Sequence, residues 1–173
     1  MGDIEMGGGT LTDDFISDKA LSHLIITLSR RGHPVDLVLN GDTFDFLKCP
    51  YIEDQVRSYP RHITSEISLK KLKMIYQAHQ PVFLALQKFL KDRQHRLFFI
   101  IGNHDHDLFF PAVQQQMKLL LKGKKNVFFR MSYHQQGVYA EHGQQYDFLN
   151  KIKLRQPFYL YRGDLILNIP WVS

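Results

Sequence analysis

The chain has 173 residues, a single cysteine and a formal charge of +5. That length suits one domain with a full core, and 44% hydrophobic with 13% aromatic residues excludes disorder as a global state. Charged residues interrupt every apolar run before it reaches membrane-spanning length; Cys49 alone excludes an internal disulfide and fits a reducing compartment, the cytoplasm by default; the positive excess favours anionic partners, phosphorylated substrates among them.

In chain order, the start is acidic and glycine-rich, Asp3-Ile4-Glu5 and then Gly7-Gly8-Gly9, unlike a signal peptide. Residues 14–31 suit an amphipathic helix, with Leu21, Leu24, Ile25 and Leu28 on one face and Gly32 and Pro34 beyond its end. Residues 35–39 form an apolar run that reads as a buried strand and delivers Gly41-Asp42-Thr43-Phe44-Asp45. Residues 63–92 read as two helices joined near Pro81. A second apolar run, 97–101, delivers Gly102-Asn103-His104-Asp105. A helix over 108–121, stopped by Gly123, and strands at 126–130 and 137–141 follow, the last leading into His142-Gly143. The tail beyond Asp147 has no assigned element, although 165–171 is apolar. Strands separated by helices predict an α/β sandwich with ligands at the carboxyl ends of the strands.

Carboxylate, amide and imidazole at such strand ends are hard ligands for divalent ions. Two ions about 3.5–4 Å apart can clamp a phosphoryl group and activate water, given a carboxylate that bridges them and an acid for the leaving group. Asp42 is the bridging candidate, because Gly41 lets the chain turn sharply off its strand. Asn103 offers a neutral oxygen and His142 a nitrogen; His104 can protonate the departing oxygen, with Asp105 expected to hold its imidazole and raise its pKa. Asp45 is expected to orient a ligand rather than to bind metal.

The order Asp-x-Glu, Gly-Asp-x-x-Asp, Gly-Asn-His-Asp, His-Gly resembles the calcineurin-like metallophosphoesterase superfamily from Gly2 to about Asp147. Within it, the Asp-Thr-Phe-Asp-Phe turn and the helices after it are similar to the UDP-2,3-diacylglucosamine hydrolases. The resemblance implies an α/β/β/α sandwich and two divalent ions, manganese foremost, with iron, zinc or magnesium as alternatives. It implies phosphate-ester or pyrophosphate hydrolysis through a metal-activated hydroxide, on a phosphorylated small molecule or a lipid-linked substrate. By position, Asp3 and Asp42 match ligands of the first ion, and Asp42, Asn103 and His142 those of the second. His104 matches the histidine that acts on the leaving group.

Three departures modify that expectation. Glu5 stands where the family has histidine, so it is a candidate oxygen ligand with an altered metal preference. Only Met1 and Gly2 precede Asp3, so the family's first strand is expected to be lacking and a sheet edge bare. No histidine follows His142, so the closing Gly-His-x-His turn is lacking too. The expected domain over residues 1–173 is therefore an incomplete sandwich. It is either part of a longer phosphoesterase or a short form completed by exchange with a second copy. The competing function is a weakly active or non-catalytic binding or assembly module. Nucleic acid ranks lower, for want of aromatics interleaved with basic residues. His23, His33, His62, His79 and His95 are expected at the surface. His106 is a candidate for substrate or metal contact, and Lys48, Arg57 and Arg61 for phosphate contact, with ordinary surface charge the favoured reading of those three.

Overall fold

The computed structural model describes residues 1–123 and 125–170. Its elements are α1 (Asp18–Leu28), β1 (Asp36–Asn40), β2 (Tyr51–Glu53), β3 (Val56–Ser58), α2 (Ser65–Ala78), α3 (Gln80–Phe89), β4 (Arg96–Ile100), α4 (Pro111–Leu120), β5 (Val127–Arg130), β6 (Ser132–Gln135), β7 (Val138–Glu141), β8 (Phe158–Tyr161) and β9 (Asp164–Leu167). Short 3₁₀ turns at His106–Phe109 and Gln144–Tyr146 follow β4 and β7 at the sheet's rim.

The two apolar runs become neighbours. β1, β4 and β5 form a parallel sheet in the order β1-β4-β5, with Leu39 opposite Phe99 and Phe99 opposite Phe129. Alternation sends Leu37, Leu39, Leu97, Phe99, Val127 and Phe129 into the larger core, where Ile25 of α1, Leu72 of α2, Phe83 and Leu86 of α3 and Met117 of α4 meet them. Phe98 and Ile100 point the other way, onto Tyr133 of β6 and Ala140 of β7. Both sheet faces are thus covered, by helices on one side and the β6–β7 hairpin on the other. Burial of β4 on both faces, and of β1 on one with the other half-buried, is why they read as continuous apolar runs instead of alternating ones. The class is mixed α/β.

Local chemistry accounts for the helix limits. Thr64 caps α2 by accepting a hydrogen bond from Ile67 N–H. Pro81 lies in the first turn of α3, where its missing N–H costs nothing, so the two helices break where expected. Pro111 likewise opens α4, which starts three residues later than predicted because 106–109 coils as 3₁₀.

The rest was not anticipated. β6 and the β2–β3 hairpin were unread, and part of the apolar tail forms β9, paired with β8. β9 docks on the chain just before α2, through Leu167 N–H to Ile63 C=O (2.9 Å) and a bridge between Thr64 and Ile166. Trp171 lies outside the described residues. The expected bare edge of β1 is covered at its carboxyl end: the Met1 ammonium donates to Val38 C=O, Asn40 N–H donates to Met1 C=O, and buried Met6 pairs with Phe44. His79 and His95, expected at the surface, are both buried. Carboxylates of Asp13 and Asp18 bracket the His79 ring at 3.0 and 2.9 Å, and His95 stacks on Phe89. No helix of the described residues is long and apolar enough to cross a membrane.

Candidate metal centre

The site forms where β1, β4 and β7 end together. Gly41 (φ 80°) and Asp42 (φ 48°) turn the chain off β1 in left-handed conformations. A Cβ at Gly41 would overlap the His142 ring, and one at Gly102 would overlap the Asp42 carboxylate. Glycine at both places lets three strand ends close on a single point. Asp3 (φ 52°) and Glu5 (φ 56°) are left-handed as well. Such backbone costs a non-glycine residue of order 1 kcal/mol or more and clusters at functional sites. Three candidate ligands thus share it.

Asp42 is buried at the centre. One carboxylate oxygen accepts His104 N–H (2.9 Å), and the other lies 3.2 Å from His142 Nε2. That nitrogen is 3.1 Å from Asn103 Oδ1. Donors bound side by side to one ion at about 2.1 Å stand about 3.0–3.4 Å apart, so the observed spacings fit a shared cation. Asp42, Asn103 and His142, drawn from three separate strand ends, meet as expected.

Oxygen and nitrogen donors gather in two groups, within 4.8 Å in each: Asp3, Asp42 and His142, and Glu5, Asp42 and His104. Asp42 belongs to both, as a bridging carboxylate would. The grouping differs from expectation in one respect, for Asp3 joins the His142 side while Glu5 faces His104. The Asp3 carboxylate is well exposed and 3.8 Å from His142 Nδ1, so of the set it is the least constrained.

Electrostatics follow the packing. Burial pushes the Asp42 carboxyl up, but His142 and the His104 N–H outweigh it and leave its pKa below the ordinary value. The same carboxylate raises His142 to about 9, against the opposing effect of burial. In the absence of metal, an imidazolium therefore faces the carboxylate with which it would share a cation.

His104 is half-buried, with Nδ1 3.2 Å from Asp45 Oδ1. The Asp45 carboxylate raises the imidazole pKa against desolvation, with further help from Asp42 and Glu5. Asp105 does not take this role. Its buried carboxylate accepts Gly102 N–H (2.6 Å) and Thr43 N–H (3.0 Å), clamping the two motif turns together. Burial, aided by Asp42, pushes its pKa to about 7. The partner of His104 thus comes from the other turn.

Lys48 fits its favoured reading as an ordinary charge and not the phosphate contact. Its Nζ lies 3.2–3.3 Å from Glu5, Asp14 and Asp45, so it balances the carboxylates beside His104 and does not stand free for phosphate. Spacing of three residues from Asp45 was the available signal. His106 is buried below the site, neither ring nitrogen has a hydrogen-bond partner among the described residues, and burial lowers its pKa to about 3. Arg57 projects from the exposed β2–β3 hairpin.

Set against family models, curated proteins and solved structures, the chain matches none. The functional reading accordingly rests on the site's own geometry.

Proposed function

We propose that the protein is a metal-dependent phosphoesterase, hydrolysing a phosphate ester or pyrophosphate bond of a phosphorylated molecule. The observation that carries this reading is Asp42, one buried carboxylate common to two donor groups, with Asn103 and His142 at mutual ligand spacing. The donor set of carboxylates, an amide oxygen and imidazoles suits manganese, iron, zinc or magnesium.

Asp42, Asn103, His142 and Asp3 would hold one ion, and Asp42 with Glu5 a second. Bound there, divalent ions polarise the phosphoryl group and lower the pKa of water. The remaining work falls to the chain's own groups. Asp45, 3.2 Å from Nδ1, favours the protonated imidazole of His104, the form that would give a proton to the leaving oxygen. Lys48 offsets the charge of Glu5 and Asp45, which would otherwise repel a phosphate anion. Asp105 fixes both turns so that these distances persist.

The test is hydrolysis of an aryl phosphate, a bis-aryl phosphate and a nucleoside diphosphate by manganese-loaded protein, alongside metal analysis. Turnover that EDTA and Asp42→Ala each abolish is the expected result. A folded protein that binds no manganese, or turns over none of the three when loaded, overturns the reading.

A further inference from the structure

The opposite end of the sheet carries a second feature. A cavity of about 810 Å³ opens where β4 and β5 begin, between the end of α3 and the end of α4. Its polar wall is Lys91, Arg93, Arg96, Lys118, Lys122 and Lys125, contributed by segments far apart in sequence. Arg96 is neutralised by Asp36, through Nε and Nη2 at 2.6 and 2.5 Å. Among the described residues no carboxylate lies within ion-pair distance of the other five, although exposed Asp92 stands in the same loop. Lys118 Nζ lies 5.9 Å from the Phe129 ring.

The frame around these cations is built. Asn126 donates to Leu90 C=O (3.3 Å) and His95 C=O (2.9 Å), tying the loop before β4 to the loop before β5. Gln87 donates to Leu120 C=O (2.7 Å), joining α3 to α4. Leu90, Leu119 and Phe128 supply an apolar portion. Small-molecule sites typically enclose about 300–1,000 Å³ with a few convergent polar groups.

We propose that this cavity binds a multiply phosphorylated small molecule, at a site separate from the metal centre. Five uncompensated cations around one volume repel each other unless several negative charges join them, and clustered phosphates supply that density in a compact ligand. The cavity is a poor platform for single-stranded nucleic acid, which stacks successive bases on free aromatic faces. Its one aromatic, Phe128, already stacks on Phe98 at 4.9 Å. At about 3.3 Å per residue, the five residues of β4 put roughly 17 Å between this end and the metal centre, so one small ligand cannot span both.

Isothermal titration with tripolyphosphate, a nucleoside triphosphate, phosphoinositide vesicles and a 20-nucleotide single strand tests this, with EDTA present to keep the metal centre out of the signal. Tripolyphosphate or the nucleotide should bind, about tenfold or more weaker in the doubly substituted Lys122→Glu, Lys125→Glu protein and unchanged in Asp42→Ala. Binding to the vesicles alone, with the same dependence on the lysines, would identify a lipid headgroup as the source of the phosphates. Circular dichroism melts establish that the charge-reversed protein is folded. Affinity untouched by charge reversal, affinity lost in Asp42→Ala, binding of the oligonucleotide alone, or no binding near about 1 mM overturns the proposal.

Discussion

The two ends of the three-stranded sheet have opposite chemistry. Where β1 and β4 finish, Asp3, Glu5, Asp42 and Asp45 crowd against His104 and His142, and left-handed backbone and close-packed glycines hold them there. Where β4 and β5 begin, lysines and arginines surround a cavity, most of them exposed and without a carboxylate partner among the described residues. Burial makes the difference. At the acidic end buried carboxylates meet partners, Asp42 with His142 and Asp45 with His104 and Lys48, whereas Asp105 is held by two backbone N–H groups and its pKa rises to about 7. At the basic end side chains stay hydrated, so structure does not demand a counter-charge. The acidic end is therefore sensitive to single atoms, and the basic end is sensitive only to net charge.

The largest expected effect separates Asp45 from Asp105. If His104 supplies the leaving-group proton, His104→Ala lowers kcat on an aryl phosphate by about 10²–10⁴-fold. Asp45→Asn should lower it less and leave the protein folded, since the carboxamide keeps the shape and loses the charge beside the imidazole. Leaving groups of low pKa need little protonation, so both losses should shrink on the most acidic phenols. Equal losses across a leaving-group series would remove His104 from that role.

Next in size is Asp105→Ala, a stability effect. It leaves Gly102 N–H and Thr43 N–H buried without a partner, at about 1–3 kcal/mol for each unsatisfied group. A fall in Tm with loss of manganese binding is expected. Gly102→Ala belongs to the same class, because the added methyl must displace the Asp42 carboxylate. A Tm unchanged in Asp105→Ala would contradict the clamp.

These roles also mark how far the sequence could be read. The runs 35–39 and 97–101 were legible because β4 is buried on both faces, β1 is buried on one and half-buried on the other, and the turns after them carry glycine and charge. The meeting of Asp42 and Asn103 was legible for the same reason, since parallel neighbours β1 and β4 deliver their ends to one rim; His142 reaches it from β7 of the separate antiparallel hairpin. What was misread depends on direction and distance. Asp105 adjoins His104 in sequence, but its carboxylate faces the two motif turns; Asp45, fifty-nine positions earlier, faces the ring. β6 is short and polar (Ser132, His134, Gln135), and only Tyr133 among its residues reaches the core. His79 is buried because Asp13 and Asp18 come to it from far along the chain, while His95 folds back onto Phe89 at the end of α3. Lys91 and Arg93 gain meaning only when folding sets them beside Lys122 and Lys125.

A third test lies between the two ends. Asp36 opens β1 and meets both Arg96 and the Tyr133 hydroxyl (2.7 Å). Burial raises its carboxyl pKa, but Arg96 and Tyr133 outweigh that and hold it below the ordinary value. A carboxyl depressed by folding adds stability that is complete above the unfolded pKa of about 3.9 and is lost as pH falls through the folded value. Asp36→Asn should therefore cost about 1–3 kcal/mol at neutral pH. The gap to the parent protein should close as pH falls through that folded value. A gap independent of pH would assign the loss to packing.

The smallest effect is expected at the basic end, and it is the sharpest check on the contrast. Lys122 and Lys125 are exposed and have no carboxylate partner among the described residues, so nothing folded depends on their charge. Reversing both should change stability by no more than about 0.5 kcal/mol, as for surface sites without special contacts. If anything the sign should be favourable, because two glutamates would relieve repulsion among Lys91, Arg93 and Lys118. Raising salt should close even that difference, since a Debye length near 8 Å at about 0.15 M already screens exposed charges. A fall in Tm of several degrees in the doubly reversed protein would mean that these lysines support the fold, and the two ends would then differ in sign but not in kind.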